Sequence, residues 1–158
     1  MRIIIGVFLV LVGCKSITIK PSKISVKEVV FQTISLGSLF GNGVEGISES
    51  TFTINNAKEW SVLLDKMNRV NNVSSSFKKT TIDFSDQMLV CVFDKVRSTG
   101  GISVEIKNIS IENTTTKINY SIQEPAPGEM TITVVTQPYH IVLTQKRERT
   151  ITFINKDN

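Results

Sequence analysis

The sequence predicts a mainly β, α+β fold: an antiparallel β-sandwich or partly closed barrel with one helix packed on the sheet. Three observations carry this. After Asp83 the chain is a succession of short β-branched stretches, with turn signals at roughly ten- to fifteen-residue intervals, the spacing of a sandwich or barrel. Ile102, Val104 and Ile106 alternate with Ser103, Glu105 and Lys107, the pattern of a strand with one face in the core and one in water. A helical period occurs in one stretch, Ala57 to Asn68, where Trp60, Leu63, Leu64 and Met67 form one apolar stripe. The chain has 158 residues, 41% hydrophobic and 20% charged, which suits a single β-rich domain and leaves no room for a multi-domain enzyme.

The front end has a different character. Arg2 is followed by an apolar run that stops at Cys14, the shape of a signal peptide. As a helix, Ile3 to Val12 would span about 15 Å, half of a ~30 Å hydrocarbon core, so it predicts a processed segment and not a membrane span. Leu11-Val12-Gly13-Cys14 resembles the bacterial lipobox, in which the cysteine thiol is acylated and becomes the mature N-terminus. Residues 1–13 are therefore expected to be a lipoprotein signal peptide, 14–23 a tether anchored to the membrane through Cys14, and 24–158 the folded domain. Two or more acyl chains suffice for stable anchoring. Lys15-Ser16-Ile17-Thr18 has no acidic run, and the expected location is the bacterial cell envelope, facing the periplasm.

Past the tether, Ile24 to Ile34 reads as a first strand. Gly37, Gly41, Gly43 and Gly46 predict a long mobile loop, Glu49 to Ile54 a second strand, and Asn55-Asn56 the N-cap of the helix. The polar run Asn71 to Ser76 predicts a flexible connection. Six further strands are expected: Met88 to Val96, Ile102 to Glu112, Lys117 to Glu124, Met130 to Val135, Tyr139 to Gln145 and Thr150 to Ile154.

Few chemistries remain open to such a chain. A formal charge of +4 without clustered basic residues gives no argument for nucleic acid. With two cysteines, Cys14 and Cys91, and one histidine, His140, no structural metal site and no cofactor is expected. Cys91, set in Met88-Leu89-Val90-Cys91-Val92-Phe93, reads as a buried inert thiol, and His140 as a strand histidine. The carboxylate pairs Asp83/Asp86 and Glu124/Glu129 have no spacing that converges them on a substrate. The expectation is a protein that is not an enzyme.

Thr99-Gly100-Gly101-Ile102-Ser103-Val104-Glu105-Ile106, then Glu124-Pro125-Ala126-Pro127-Gly128, then Thr136-Gln137-Pro138-Tyr139-His140-Ile141-Val142 follow in this order after Ile82-Asp83-Phe84-Ser85. In these motifs residues 83–154 resemble the PrcB C-terminal domain family, named for a lipoprotein subunit of a bacterial surface protease complex. The resemblance implies a non-enzymatic envelope domain that binds and stabilises a protein partner, such as a secreted protease. The residues expected to touch that partner are Thr99, Gly100, Gly101, Gln137, Pro138 and Tyr139, as one end of the sandwich, with Tyr139 as an aromatic anchor. An alternative is a chagasin-like protease inhibitor with a three-loop wedge, although Gly100-Gly101-Ile102 and Gln137-Pro138-Tyr139 lack that family's aromatic and guanidinium.

Overall fold

The computed structural model describes residues 26–147 and 149–157. The expectations for the signal peptide, Cys14 and the tether lie outside the described residues. Eight strands are present among them: β1 (Val26–Val29), β2 (Phe31–Leu39), β3 (Ser50–Ile54), β4 (Gln87–Phe93), β5 (Ser103–Glu112), β6 (Thr115–Gln123), β7 (Gln137–Gln145) and β8 (Thr150–Asn155). They form two four-stranded sheets, ordered β1-β5-β6-β8 and β2-β7-β4-β3, packed as a sandwich with no closed barrel. Helix α1 (Ala57–Met67) follows β3. Its N-cap is Asn56, whose side chain accepts from the Glu59 N–H at 2.9 Å while Glu59 reaches back to the Asn55 N–H, a reciprocal cap.

The β2-β7-β4-β3 sheet is the middle layer. Met88, Val90, Val92 and Val142 pack against Val104, Ile106, Ile109 and Ile118 of the other sheet. Their neighbours Leu89, Cys91, Phe93, Tyr139, Ile141 and Leu143 face the opposite way, against Leu63 and Met67 of α1. A strand covered on both faces loses its polar alternation, and the unbroken apolar run of β4 follows from this. Trp60 and Leu64 are only half-buried, so the helix stripe is narrower than its period suggests.

Several elements differ from the sequence expectation. The run Ile24 to Ile34 covers two strands in different sheets: β1 pairs with β5, the chain turns at Val30, which is 91% exposed, and β2 pairs with β7. A continuous β-branched run has no turn residue to mark that switch. Gly37 lies inside β2, and the glycine-rich stretch beyond it holds turns closed by the Val44 N–H to Gly41 and the Gly46 N–H to Gly43 carbonyl bonds. The serines after Asn72 form a single 3-10 turn, Val73–Ser76. Met130 to Val135 is not a strand, because it faces the irregular chain after β4, to which it is joined by the Gly100 N–H bond to the Ile132 carbonyl ahead of an isolated Arg97–Thr136 bridge. β8 runs parallel to β6: the chain arrives from β7 in the other sheet, so no hairpin forces it antiparallel.

Candidate partner-binding pole

Three connections meet at one end of the sandwich: β2–β3 (residues 40–49), β4–β5 (94–102) and β6–β7 (124–136). Strand pairing places them there, since Leu39 lies opposite Gln137 and Ser50 opposite Phe93. Bonds between the connections then hold the pole together. Arg97 and Thr136 exchange main-chain hydrogen bonds of 2.7 and 3.0 Å, and the Gly100 N–H donates to the Ile132 carbonyl at 3.0 Å. Arg97 also donates to Asp94 (2.6 Å) and to Glu124 (2.8 Å), joining the start of one connection to the start of the next. The bond to Asp94, ahead of the Glu124 charge, holds the guanidinium above its usual range.

The glycines of Thr99-Gly100-Gly101 have steric reasons. A Cβ on Gly100 would lie 2.8 Å from Ile132 Cγ1, and Gly101 has φ +81°, a left-handed conformation. Ala126 to Glu129 is a Pro-Gly turn in which the Glu129 N–H bonds the Ala126 carbonyl and Gly128 takes φ +86°. Gly100, Gly101, Pro125, Glu129, Met130 and Ile132 line an open groove of about 650 Å³. Met130 is 98% exposed and Ile132 72% exposed, and Phe40, Val44 and Val96 are also exposed on the loops of this end.

The Thr99–Gly101 turn and the Pro125–Met130 loop thus come together, whereas Gln137, Pro138 and Tyr139, expected at the same end, do not join them on the surface. All three are buried at the start of β7. Gln137 Nε2 donates to the carbonyls of Ile47 (2.8 Å) and Asp94 (2.9 Å), tying two connections together from inside. Tyr139 is 2% exposed, stacks on Phe93 and shares a 2.9 Å hydrogen bond with Ser35. Burial pushes its phenol up, against the smaller effect of that bond. It is a core residue and not a partner anchor, because β7 is flanked on both edges and covered on both faces. The three-loop wedge of the inhibitor reading loses its third loop for the same reason.

The other groups considered from sequence are committed elsewhere. His140 lies between the sheets, where its Nδ1 accepts from the Ile106 N–H at 2.8 Å and its Nε2 meets Thr33 Oγ1 at 3.0 Å. The first bond fixes the tautomer with the proton on Nε2. Burial holds its pKa at about 4, with Glu105 and Lys107 as opposing smaller effects. Cys91 faces the helix side of the same sheet, and burial pushes its thiol up. The sheet therefore separates the cysteine from the histidine. Glu124 bonds Arg97, Glu129 accepts from the Ala126 N–H, and Asp83 accepts from the N–H and hydroxyl of Ser85, which lowers its pKa. Among the described residues no group of three or more His, Cys, Asp or Glu is placed to hold a metal ion, and no helix is long and apolar enough to cross a membrane.

Residues 88–145 match the PrcB C-terminal family. The matched stretch runs from β4 through β7 and supplies the two central strands of each sheet, while β1, β2, β3, β8 and α1 lie outside it. Its two non-hairpin connections, 94–102 and 124–136, are the ones that form the groove. No curated protein and no solved structure matches the chain. Sequence reasoning missed Met130 and Ile132 as surface residues. Their i, i+2 spacing imitates a strand, and the signal against that reading was Pro125-Ala126-Pro127-Gly128 directly before them, which leaves Met130 at the end of a turn.

Proposed function

We propose that this chain is a non-enzymatic accessory lipoprotein of the bacterial cell envelope, anchored through acylated Cys14 and facing the periplasm, whose PrcB domain holds a protein partner at the loop pole. The observation that carries the reading is the exposure of Met130 and Ile132 on connections that are otherwise fixed by main-chain bonds and by Arg97. Connections already held by main-chain bonds lose little backbone entropy when their apolar side chains are covered, which favours an interface there. The family match supports a PrcB-like domain, and its association with a protease complex makes a secreted protease a natural class of partner.

The test is capture from a detergent-solubilised envelope extract by the full chain and by a Met130→Asp/Ile132→Asp double variant. The wild type should retain a partner that the variant holds about tenfold or more less tightly, with both proteins melting at the same temperature. Equal capture by the two proteins would defeat the loop-pole reading. Retention of a Cys14→Ser chain in the membrane fraction would defeat the anchor.

A further inference from the structure

The second surface that stands out is the outer edge of β2. Main-chain groups in an antiparallel pair point alternately toward and away from the partner strand. The Pro138 carbonyl accepts from the Asp94 N–H (2.9 Å) and the Thr136 carbonyl from the Arg97 N–H, so even-numbered residues at this end of β7 give their main chain to the β4 side. Leu36 and Ser38 stand opposite His140 and Pro138. They are therefore the positions whose N–H and C=O point out of the sheet. Among the described residues nothing bonds these four groups, although the Ile34 carbonyl just before them takes the Lys78 N–H at 3.0 Å. The edge is thus already extended by one main-chain bond and then left open.

Sheets protect such edges with charge, proline or short strands. β1 has four residues with Lys27 and Glu28 among them, and β8 lies between Arg149 and Lys156. β3 has five residues and leads directly into α1. β2 has nine residues, and from Val29 to Val44 the chain holds no charged residue and no proline. Its single guard is the bulge between Thr33 and Ser35. Leu36 and Phe40 are 52% and 58% exposed, and an open groove of about 700 Å³ runs between this edge and the Val73–Ser76 turn. Among the described residues lining it, Lys78 is the one charged side chain.

We propose that this edge receives an extended segment of a partner protein as a fifth strand of the sheet, pairing with the main chain of Leu36 and Ser38. The unbonded groups recur every second residue, the repeat that an extended main chain matches, and recognition by strand addition uses that repeat with side-chain pockets alongside. The groove selects an otherwise uncharged segment with apolar side chains against Leu36 and Phe40 and a carboxylate beside Lys78. This surface is distinct from the loop pole and stands or falls separately.

The probe is a fluorescein-labelled nonapeptide of alternating valine and threonine ending in glutamate, titrated into the full chain, with amide hydrogen exchange read in parallel. Saturable binding is expected, with exchange at Leu36 and Ser38 slowed by about tenfold or more. Leu36→Lys and Ser38→Pro should each weaken binding about tenfold. Ser38→Pro removes an N–H that no ladder bond uses, and Leu36→Lys changes an exposed side chain should the proline variant not fold. A peptide ending in lysine should bind several-fold more weakly, and the Met130→Asp/Ile132→Asp variant should bind as the wild type does. The proposal is overturned by absence of saturable binding or by binding that leaves the two amides unprotected. It is equally overturned by a chain that sediments as a dimer with those amides already protected, since the occupant would then be a second copy.

Discussion

The two faces of the middle sheet are packed by different chemistry. Toward the other sheet the buried side chains are aliphatic, among them Val90, Val92, Val104, Ile106, Ile109, Ile118 and Val142 with the thioether of Met88, and the rings packed against them, Phe31, Tyr120 and Phe153, are only partly buried. Toward the helix the rings of Phe52, Phe93, Tyr139, Phe77 and Trp60 follow one another at centroid distances of 5.6 to 6.4 Å. Two sheets lie at a regular spacing of about 10 Å that short branched side chains fill from both sides. A single helix and the irregular chain after it leave an uneven gap, and large flat rings close it. The same alternating strands, β4 and β7, serve both.

Adjacent residues of β7 make the contrast sharper. His140 enters the aliphatic layer and Tyr139 the aromatic one, and each bonds a hydroxyl of β2, Thr33 and Ser35 respectively. Residues two apart on a regular strand point to the same face. The bulge between Thr33 and Ser35 turns them to opposite faces, so that both partners can be met. His140 does more than this: β1 ends its pairing at Ile109, and the imidazole takes the Ile106 N–H that this shorter neighbour does not reach.

The largest test of this division is Phe93→Ala. Phe93 is 1% exposed and touches two rings, so its loss should cost about 3 to 5 kcal/mol in urea midpoint analysis. A cost near 1 kcal/mol would mean that the aromatic layer is loosely packed.

An acid titration tests the aliphatic layer. In the folded chain His140 titrates at about 4, against 6.5 for the unfolded residue, so below pH 6.5 the unfolded state binds the proton and the folded state does not. Stability from this group is complete above 6.5 and is lost as the pH falls toward 4, by about 3 kcal/mol at most. His140→Gln should flatten the dependence in that window, and an unchanged slope would show that other groups cause it.

The smallest effect is expected from Tyr139→Phe, which keeps the ring stack and removes the bond to Ser35. About 1 kcal/mol should be lost, with the melting transition remaining cooperative. No change would show that the hydroxyl pair contributes nothing, and the aromatic layer would then rest on ring packing alone.

By itself the sequence determined the β-rich class, the helix with its Asn56 cap, six strands to within a few residues, and the glycine and proline turns of the pole, because each rests on local periodicity or on local backbone demands. It could not show that Ile24 to Ile34 divides between two sheets, that β8 lies parallel to β6, or that Tyr139 is interior while Met130 and Ile132 are outside. Exposure of a β residue depends on what covers its face, and the cover comes from segments far away in the chain. Tyr139 is enclosed by Ser35, Phe77 and Phe93, none of them within forty residues of it. Only the packing of both layers decided which aromatic would be core and which edge would be left open.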